Sequence, residues 1–148
     1  MVIATVFLPN TLVYGASEDK SIYGDVVGDK DTVTDTVTIL TRGNLLNYGT
    51  VTMTKVSSTR VRITGITQAH RLCDKLGVDL YLYKSSNGTN YSSHREWYFT
   101  KKNDDVLGQT LEVIVPSGYW YRLGGGHVAV LGNDGESAAT MTNGLYVG

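Results

Sequence analysis

The residues best suited to chemistry in this sequence lie in two short stretches. The first is V-P-S-G-Y-W-Y-R-L-G-G-G-H-V-A-V at positions 115–130, where three aromatic residues precede three glycines and a histidine. The second is H-R-L-C-D at positions 70–74, which places a histidine, a cysteine and an aspartate close together. A Cys–His pair can form a nucleophilic dyad, and a glycine run can cradle a phosphate. Both chemistries depend on the elements that carry these residues.

The glycine run does not have the context of a phosphate loop, which needs a strand before it and a helix after it. Residues 119–131 alternate as a strand and no helical spacing follows, so we interpret the glycines as a bulge or bend. Neighbours along a strand point apart, which favours a strand connection over catalysis for His70, Cys73 and Asp74. Glu96 and Glu112 are a further pair of carboxylates for a small hydrolase, which remains a distant alternative.

The sequence has no residue spacing that is typical of a metal or cofactor site. The three histidines, His70, His94 and His127, are scattered and lack metal-ligand spacing. The aspartates between positions 25 and 35 lack the spacing of an EF-hand loop. We therefore expect no metal and no cofactor.

The length and the net charge limit the classes of function that this protein can have. The 148 residues suit one domain, and the formal net charge of −1 comes without a basic stripe that would bind nucleic acid or anionic lipid. A single cysteine excludes an intramolecular disulfide. We expect no nucleic-acid partner and no membrane span.

The elements that position these residues are strands. Tyrosine, threonine and valine recur, and period-two alternation runs through the chain with turn residues between the segments. After a short strand at 36–40, the pattern predicts seven strands at residues 49–56, 60–67, 77–83, 95–100, 107–115, 119–131 and 137–147. This spacing predicts an all-β, seven-stranded antiparallel sandwich of two sheets.

Two resemblances follow from these residues. The strands, with V-P-S-G-Y-W-Y-R-L and the later G-N-D-G-E-S, resemble a fibronectin type III or immunoglobulin-like domain. This resemblance implies that Tyr119 or Tyr121 bonds back to the backbone of the preceding turn. R-G-N-L-L-N-Y-G, I-T-Q-A-H-R-L-C-D-K-L and E-S-A-A-T-M-T-N-G are similar to a family of small secreted proteins of Gram-positive bacteria, which implies secretion without naming an activity.

The beginning of the chain differs from the remainder. Residues 1–16 are uncharged and largely apolar, with small residues before a cleavage point after Gly15, and we interpret them as a signal-peptide remnant or an N-terminal strand. Residues 17–41 form an acidic leader or linker, and residues 42–148 form the β-sandwich domain. We expect a secreted or extracellular surface location.

One surface then stands out as a candidate binding site. If Val78, Leu80 and Leu82 face the core, the residues between them face outward, and the same alternation applies to the neighbouring strands. The outward residues make one aromatic face with an arginine at its side: Tyr81, Tyr83, Tyr98, Trp120 and Arg122.

The sequence therefore predicts a non-catalytic interaction module that binds a protein or a glycan through this face. The alternative is a structural subunit that self-associates through its N-terminal strand or the same face.

Overall fold

The computed structural model describes residues 31–38 and 45–148. These residues form one seven-stranded sheet in which every neighbouring pair is antiparallel. The strands are β1 Thr32–Thr38, β2 Leu46–Ser57, β3 Arg60–Ser85, β4 Ser92–Ile114, β5 Tyr119–Leu131, β6 Asp134–Met141 and β7 Leu145–Val147. The all-β, antiparallel prediction is confirmed, whereas the expected signal remnant at 1–16 lies outside the described residues.

Strands β3 and β4 each combine two of the strands that the sequence pattern predicts. The predicted strands 60–67 and 77–83 are both part of β3, and the predicted strands 95–100 and 107–115 are part of β4. The residues between them remain paired, as in Cys73 with Asp104 and Lys75 with Lys102. A register shift between Gln68 and Cys73 and a left-handed φ of 52° at Asn103 mark the place where both strands bend.

This bend curls the sheet into a half-barrel. The first half of β3 pairs with β2 and with the end of β4, and the second half pairs with the start of β4 and with β5. β6 and β7 lie along β5, and β2 faces β5 and β6 across the interior. The chain therefore builds its core between two halves of one sheet.

The core consists of the inward-facing residues of this alternation. Leu80 and Leu82 on β3 and Tyr121 and Leu123 on β5 are fully buried. The Tyr121 hydroxyl donates a hydrogen bond to the Pro116 carbonyl oxygen at 2.7 Å, which is the backbone contact predicted for Tyr119 or Tyr121. Other large, fully buried side chains are Leu46, Val51, Met53, Val61, Ile63, Leu76 and Val78.

β1 lies inside the stretch that the sequence predicts as a leader. It covers Thr32–Thr38, whereas the predicted segment was 36–40. Its threonine hydroxyls contact those of β2 at 2.8 to 3.1 Å, and such cross-strand pairs stabilise a sheet. The wider division of the chain at residue 42 stays a prediction.

Two carboxylates connect the ends of the curled sheet. Glu136 Oε2 on β6 accepts hydrogen bonds from the backbone N–H groups of Leu45 and Leu46, at 3.2 and 2.8 Å. Asp35 Oδ2 on β1 accepts one from the Met141 N–H at 2.9 Å. Across residues 31–38 and 45–148 there is no helix long and apolar enough to cross a membrane.

Candidate interaction surface

Four of the seven exposed large hydrophobic side chains among the described residues lie on one face of the sheet, and the other three, Val56, Leu72 and Ile114, lie elsewhere. Among the described residues, the large hydrophobic side chains with high exposure include Tyr98, Trp120, Met141 and Tyr146. All four belong to the outer side of the half-sheet formed by the start of β4, the second half of β3, β5, β6 and β7. A cluster of this kind on a folded domain is typical of a contact surface.

Strand alternation places the predicted residues on this side. On β5, Trp120 and Arg122 flank the buried Tyr121, and on β3 the residues Tyr81 and Tyr83 flank the buried Leu82. Cross-strand pairing then aligns Tyr83 with Arg122, Trp120 with Tyr146, and Asp79 with Tyr98.

The structure therefore brings all five predicted residues to one side of the sheet. We call this surface the aromatic face, which consists of Tyr81, Tyr83, Tyr91, Tyr98, Trp120, Arg122, Met141 and Tyr146.

One end of the aromatic face is acidic. The Tyr81 and Tyr98 rings meet edge to face with centroids 6.0 Å apart. The Tyr98 hydroxyl donates to Glu96 Oε2 at 2.6 Å, and this bond raises the pKa of Tyr98 to about 12. Burial raises the pKa of Tyr81, and the carboxylates of Asp79 and Glu96 raise it further. Asp79 and Tyr98 pair at this end, and Tyr81 and Glu96 pair at the next outward-facing position toward the middle of the face.

The other end is cationic and more aromatic. The Arg122 guanidinium lies 4.3 Å from the Tyr91 ring centroid and 5.7 Å from that of Tyr83, within the range of cation–π attraction. Within the described part of the chain, no carboxylate forms an ion pair with Arg122. The Trp120 and Tyr146 rings lie beside it, tilted by 57° with centroids 5.4 Å apart. A guanidinium held by ring faces keeps its charge available to a partner.

The hairpin loop after β3 holds this end in place. Ser85 Oγ accepts from the N–H groups of Asn87 and Gly88 at 3.2 and 3.0 Å. Gly88 has a φ of 76°, as expected for the predicted Asn-Gly turn, and lies against the Trp120 ring. The loop therefore positions the indole.

Three residues of the aromatic face escaped sequence reasoning. Tyr91 follows the hairpin loop, and Met141 and Tyr146 lie on β6 and β7, which the sequence pattern joins as one strand. Pairing of the short β7 with the start of β5 is what brings Tyr146 to Trp120. One local signal in the sequence could have identified Met141. The strand alternation of E-S-A-A-T-M places Met141 on the side opposite the buried Thr140.

The glycine run is not a bulge, which corrects the sequence interpretation. Residues 124–126 remain in register with both β3 and β6. A Cβ atom on Gly124 would lie 3.0 Å from Met141 Cε and 3.3 Å from Tyr83 Cε2. A Cβ atom on Gly125 would point inward to 2.5 Å from Val51. The glycines therefore permit close packing on both sides of β5, and on the aromatic face Met141 and Tyr83 lie over Gly124 while Asp79 lies over Gly126.

The histidine that follows belongs to the core. His127 is fully buried, with Nδ1 2.9 Å from Thr67 Oγ1 and Nε2 3.0 Å from Thr140 Oγ1. Because the Thr67 hydroxyl donates to the Gly77 carbonyl oxygen, the neutral ring with a proton on Nδ1 satisfies every group. Burial lowers the pKa of His127 to about 4. Within the described residues there is no cluster of three or more side chains that could hold a metal ion.

The residues considered for hydrolysis are dispersed. Cys73 is buried, which raises its pKa, while His70 is exposed. A buried thiol with a raised pKa is a poor nucleophile. Glu96 and Glu112 lie on the two different halves of β4, and Glu112 bonds to Arg62 at 2.7 Å.

The comparison with protein families covers most of the sequence. Residues 17–145 match the Family of unknown function (DUF6147). No curated protein matches the chain.

Proposed function

We propose that this chain, which belongs to the Family of unknown function (DUF6147), is a non-catalytic extracellular interaction module whose binding site is the aromatic face. The observation that carries the proposal is the position of four exposed large hydrophobic side chains, three of them aromatic, on one open side of the sheet. Exposed patches of this type mark contact surfaces, whereas scattered exposed hydrophobic residues do not.

A protein partner suits the composition of this surface best. Tyrosine, tryptophan, methionine and arginine are the residues enriched at the centres of protein interfaces. Trp120 and Arg122 are of the types that contribute most binding energy when they are buried by a partner. A glycan is the second candidate ligand, because the tilted pair of Trp120 and Tyr146 offers ring faces on which a sugar can stack.

The finer fold assignment, an immunoglobulin-like sandwich, is part of the proposal. In that family's strand naming, the second half of β3 is C, the first half of β4 is C′ and β5 is F, and these three are neighbours here. The hydrogen bond from Tyr121 to Pro116 also supports it, since a corner tyrosine is a mark of such domains.

An extracellular location is supported by the composition of residues 1–16. The family match begins at residue 17, directly after the apolar residues that we interpret as a signal remnant. The resemblance to small secreted proteins points the same way.

A structural subunit is the alternative function, since the same surface suits contact between copies. A hydrolase has the least support, because the Cys73 thiol is buried and its pKa is raised.

The test is binding of the full chain to a panel of cell-wall polysaccharides, peptidoglycan fragments and extracellular proteins. The Tyr81→Ala/Trp120→Ala double variant removes two rings from the aromatic face. The matched control, Val56→Ala/Ile114→Ala, removes two exposed apolar side chains that lie outside it. Binding that is lost in the first variant and kept in the second supports the proposal, provided that circular dichroism shows both to be folded. Equal loss in both variants would contradict it.

A further inference from the structure

We propose that the partner of the aromatic face is a second copy of this chain, packed face to face about a two-fold axis. The inference rests on the proposed function and deepens it by naming the partner. A two-fold interface requires a self-complementary surface, in which each contact occurs twice with the two copies exchanged.

The charges on the aromatic face have this self-complementary arrangement. Asp79 pairs across the sheet with Gly126, and Arg122 lies four positions before Gly126 on the same strand β5. At about 3.3 Å per residue, the acidic and cationic positions are about 13 Å apart along the strands. Asp79 occupies one end and Arg122 the other, while Glu96 pairs with Tyr81 at the middle level.

A two-fold axis across the strands turns this separation into two ion pairs. The axis lies in the plane of the interface, at the level of the Tyr81–Gly124 pair, which is midway between the two ends. Rotation about this axis places each end of one copy over the opposite end of the other copy. Arg122 of each copy then faces the acidic end of its counterpart. Both guanidinium groups gain a carboxylate, which the described residues of one copy do not supply.

The shape of the surface also suits a copy of itself. The ladder through residues 124–126 is regular, so this half-sheet offers an uninterrupted face for packing against another sheet. At the centre, the Met141 methyl group and the Tyr83 ring lie over Gly124. The Asp79 carboxylate lies over Gly126, on the same strand that carries Arg122.

The size of the face predicts a weak dimer. From Asp79 to Ser85 the face extends for about 20 Å along the strands, and four strands span about 15 Å. The projected area of about 300 Å² per copy is below the roughly 800 Å² of a standard interface. We therefore expect reversible association with a dissociation constant in the micromolar range or above, weakened by salt because the ion pairs lie near the rim.

The experiment is sedimentation velocity of the full chain over a wide concentration range, with two charge-reversal variants. Arg122→Glu and Asp79→Lys each place two like-charge contacts in a homodimer, so each should weaken self-association at least about tenfold. Mixed together, the two variants restore attraction at both sites, because the glutamate introduced in one copy meets the lysine introduced in the other, and the native pair forms alongside. The mixture should therefore form a heterodimer.

The outcomes separate this inference from the proposed function. Self-association of the wild type, its loss in each single variant and its recovery in the mixture support the two-fold dimer. A wild type that stays monomeric up to about millimolar concentration, or a dimer unaffected by both reversals, overturns it. If a monomeric wild type still binds the panel through Tyr81 and Trp120, the proposed function stands with a different partner. Ile114→Ala, on another surface, should leave association unchanged.

Discussion

The buried histidine makes the stability of this protein depend on pH in a defined window. His127 has no exposed surface and contacts Thr67 and Thr140, and burial lowers its pKa from 6.5 to about 4, against the weaker opposing effect of the Asp35 carboxylate. In the unfolded chain the ring binds a proton below about pH 6.5, while in the folded chain it stays neutral until about pH 4. The unfolded state therefore binds more protons between these values.

The sign and size of the effect follow from this difference. The contribution of His127 to stability is fully present above pH 6.5 and is lost as the pH falls toward the folded pKa of about 4. The complete loss is about 3 kcal/mol, at roughly 1.4 kcal/mol per pKa unit. Between pH 7 and pH 5 the loss is about 2 kcal/mol.

The assay is urea unfolding followed by tryptophan fluorescence at pH 7 and pH 5. We expect the free energy of unfolding of the wild type to fall by about 2 kcal/mol more than that of a His127→Gln variant. Burial also lowers the pKa of His94, so His94→Gln serves as the control that measures the smaller contribution of the second histidine. An identical pH dependence in wild type and His127→Gln would refute the assignment of the window to this ring.

Two further predictions concern the core. Tyr121→Phe removes the hydrogen bond to Pro116 and should lower the free energy of unfolding by about 1 kcal/mol, whereas Tyr119→Phe should have little effect. Equal losses of stability in the two variants would argue against the corner contact. Gly49→Ala places a methyl group against the His127 ring and should lower the free energy of unfolding by at least about 2 kcal/mol. The loss should be smaller in a His127→Ala background, and additive losses in a double-mutant cycle would contradict this packing.

Strand alternation was sufficient to predict the faces of the sheet. It separated Tyr81 and Tyr83 from the buried Leu82, and Trp120 and Arg122 from Tyr121, before any coordinates. This works because a side chain on a strand has only two directions available. The five predicted residues of the aromatic face therefore lie together.

The length of the strands could not be predicted in the same way. Polar residues such as Lys102 and Asp104 indicate a loop, yet they continue the ladder because both long strands bend together there. The start of β1 was also missed, since the strand was predicted at 36–40 and the acidic residues before it suggested a tether. The threonine periodicity shared by T-V-T-D-T-V-T and G-T-V-T-M-T-K was the signal for their pairing.

The contacts at the ends of the aromatic face depend on tertiary structure. Tyr91 and Tyr146 reach Arg122 and Trp120 from a loop and from a three-residue strand. Sequence spacing does not report which strand such short segments join, because their pairing is decided by the rest of the sheet.

The central claim, that the aromatic face is the contact surface, is tested most directly by hydroxyl-radical footprinting. The full chain is oxidised alone at low concentration, then with a partner from the binding panel or at a concentration that drives self-association. The account predicts protection of Trp120, Met141 and Tyr146, with Leu72 and Ile114, which are exposed elsewhere, oxidised at unchanged rates. Protection of Leu72 or Ile114, with the aromatic face still reactive, would contradict it.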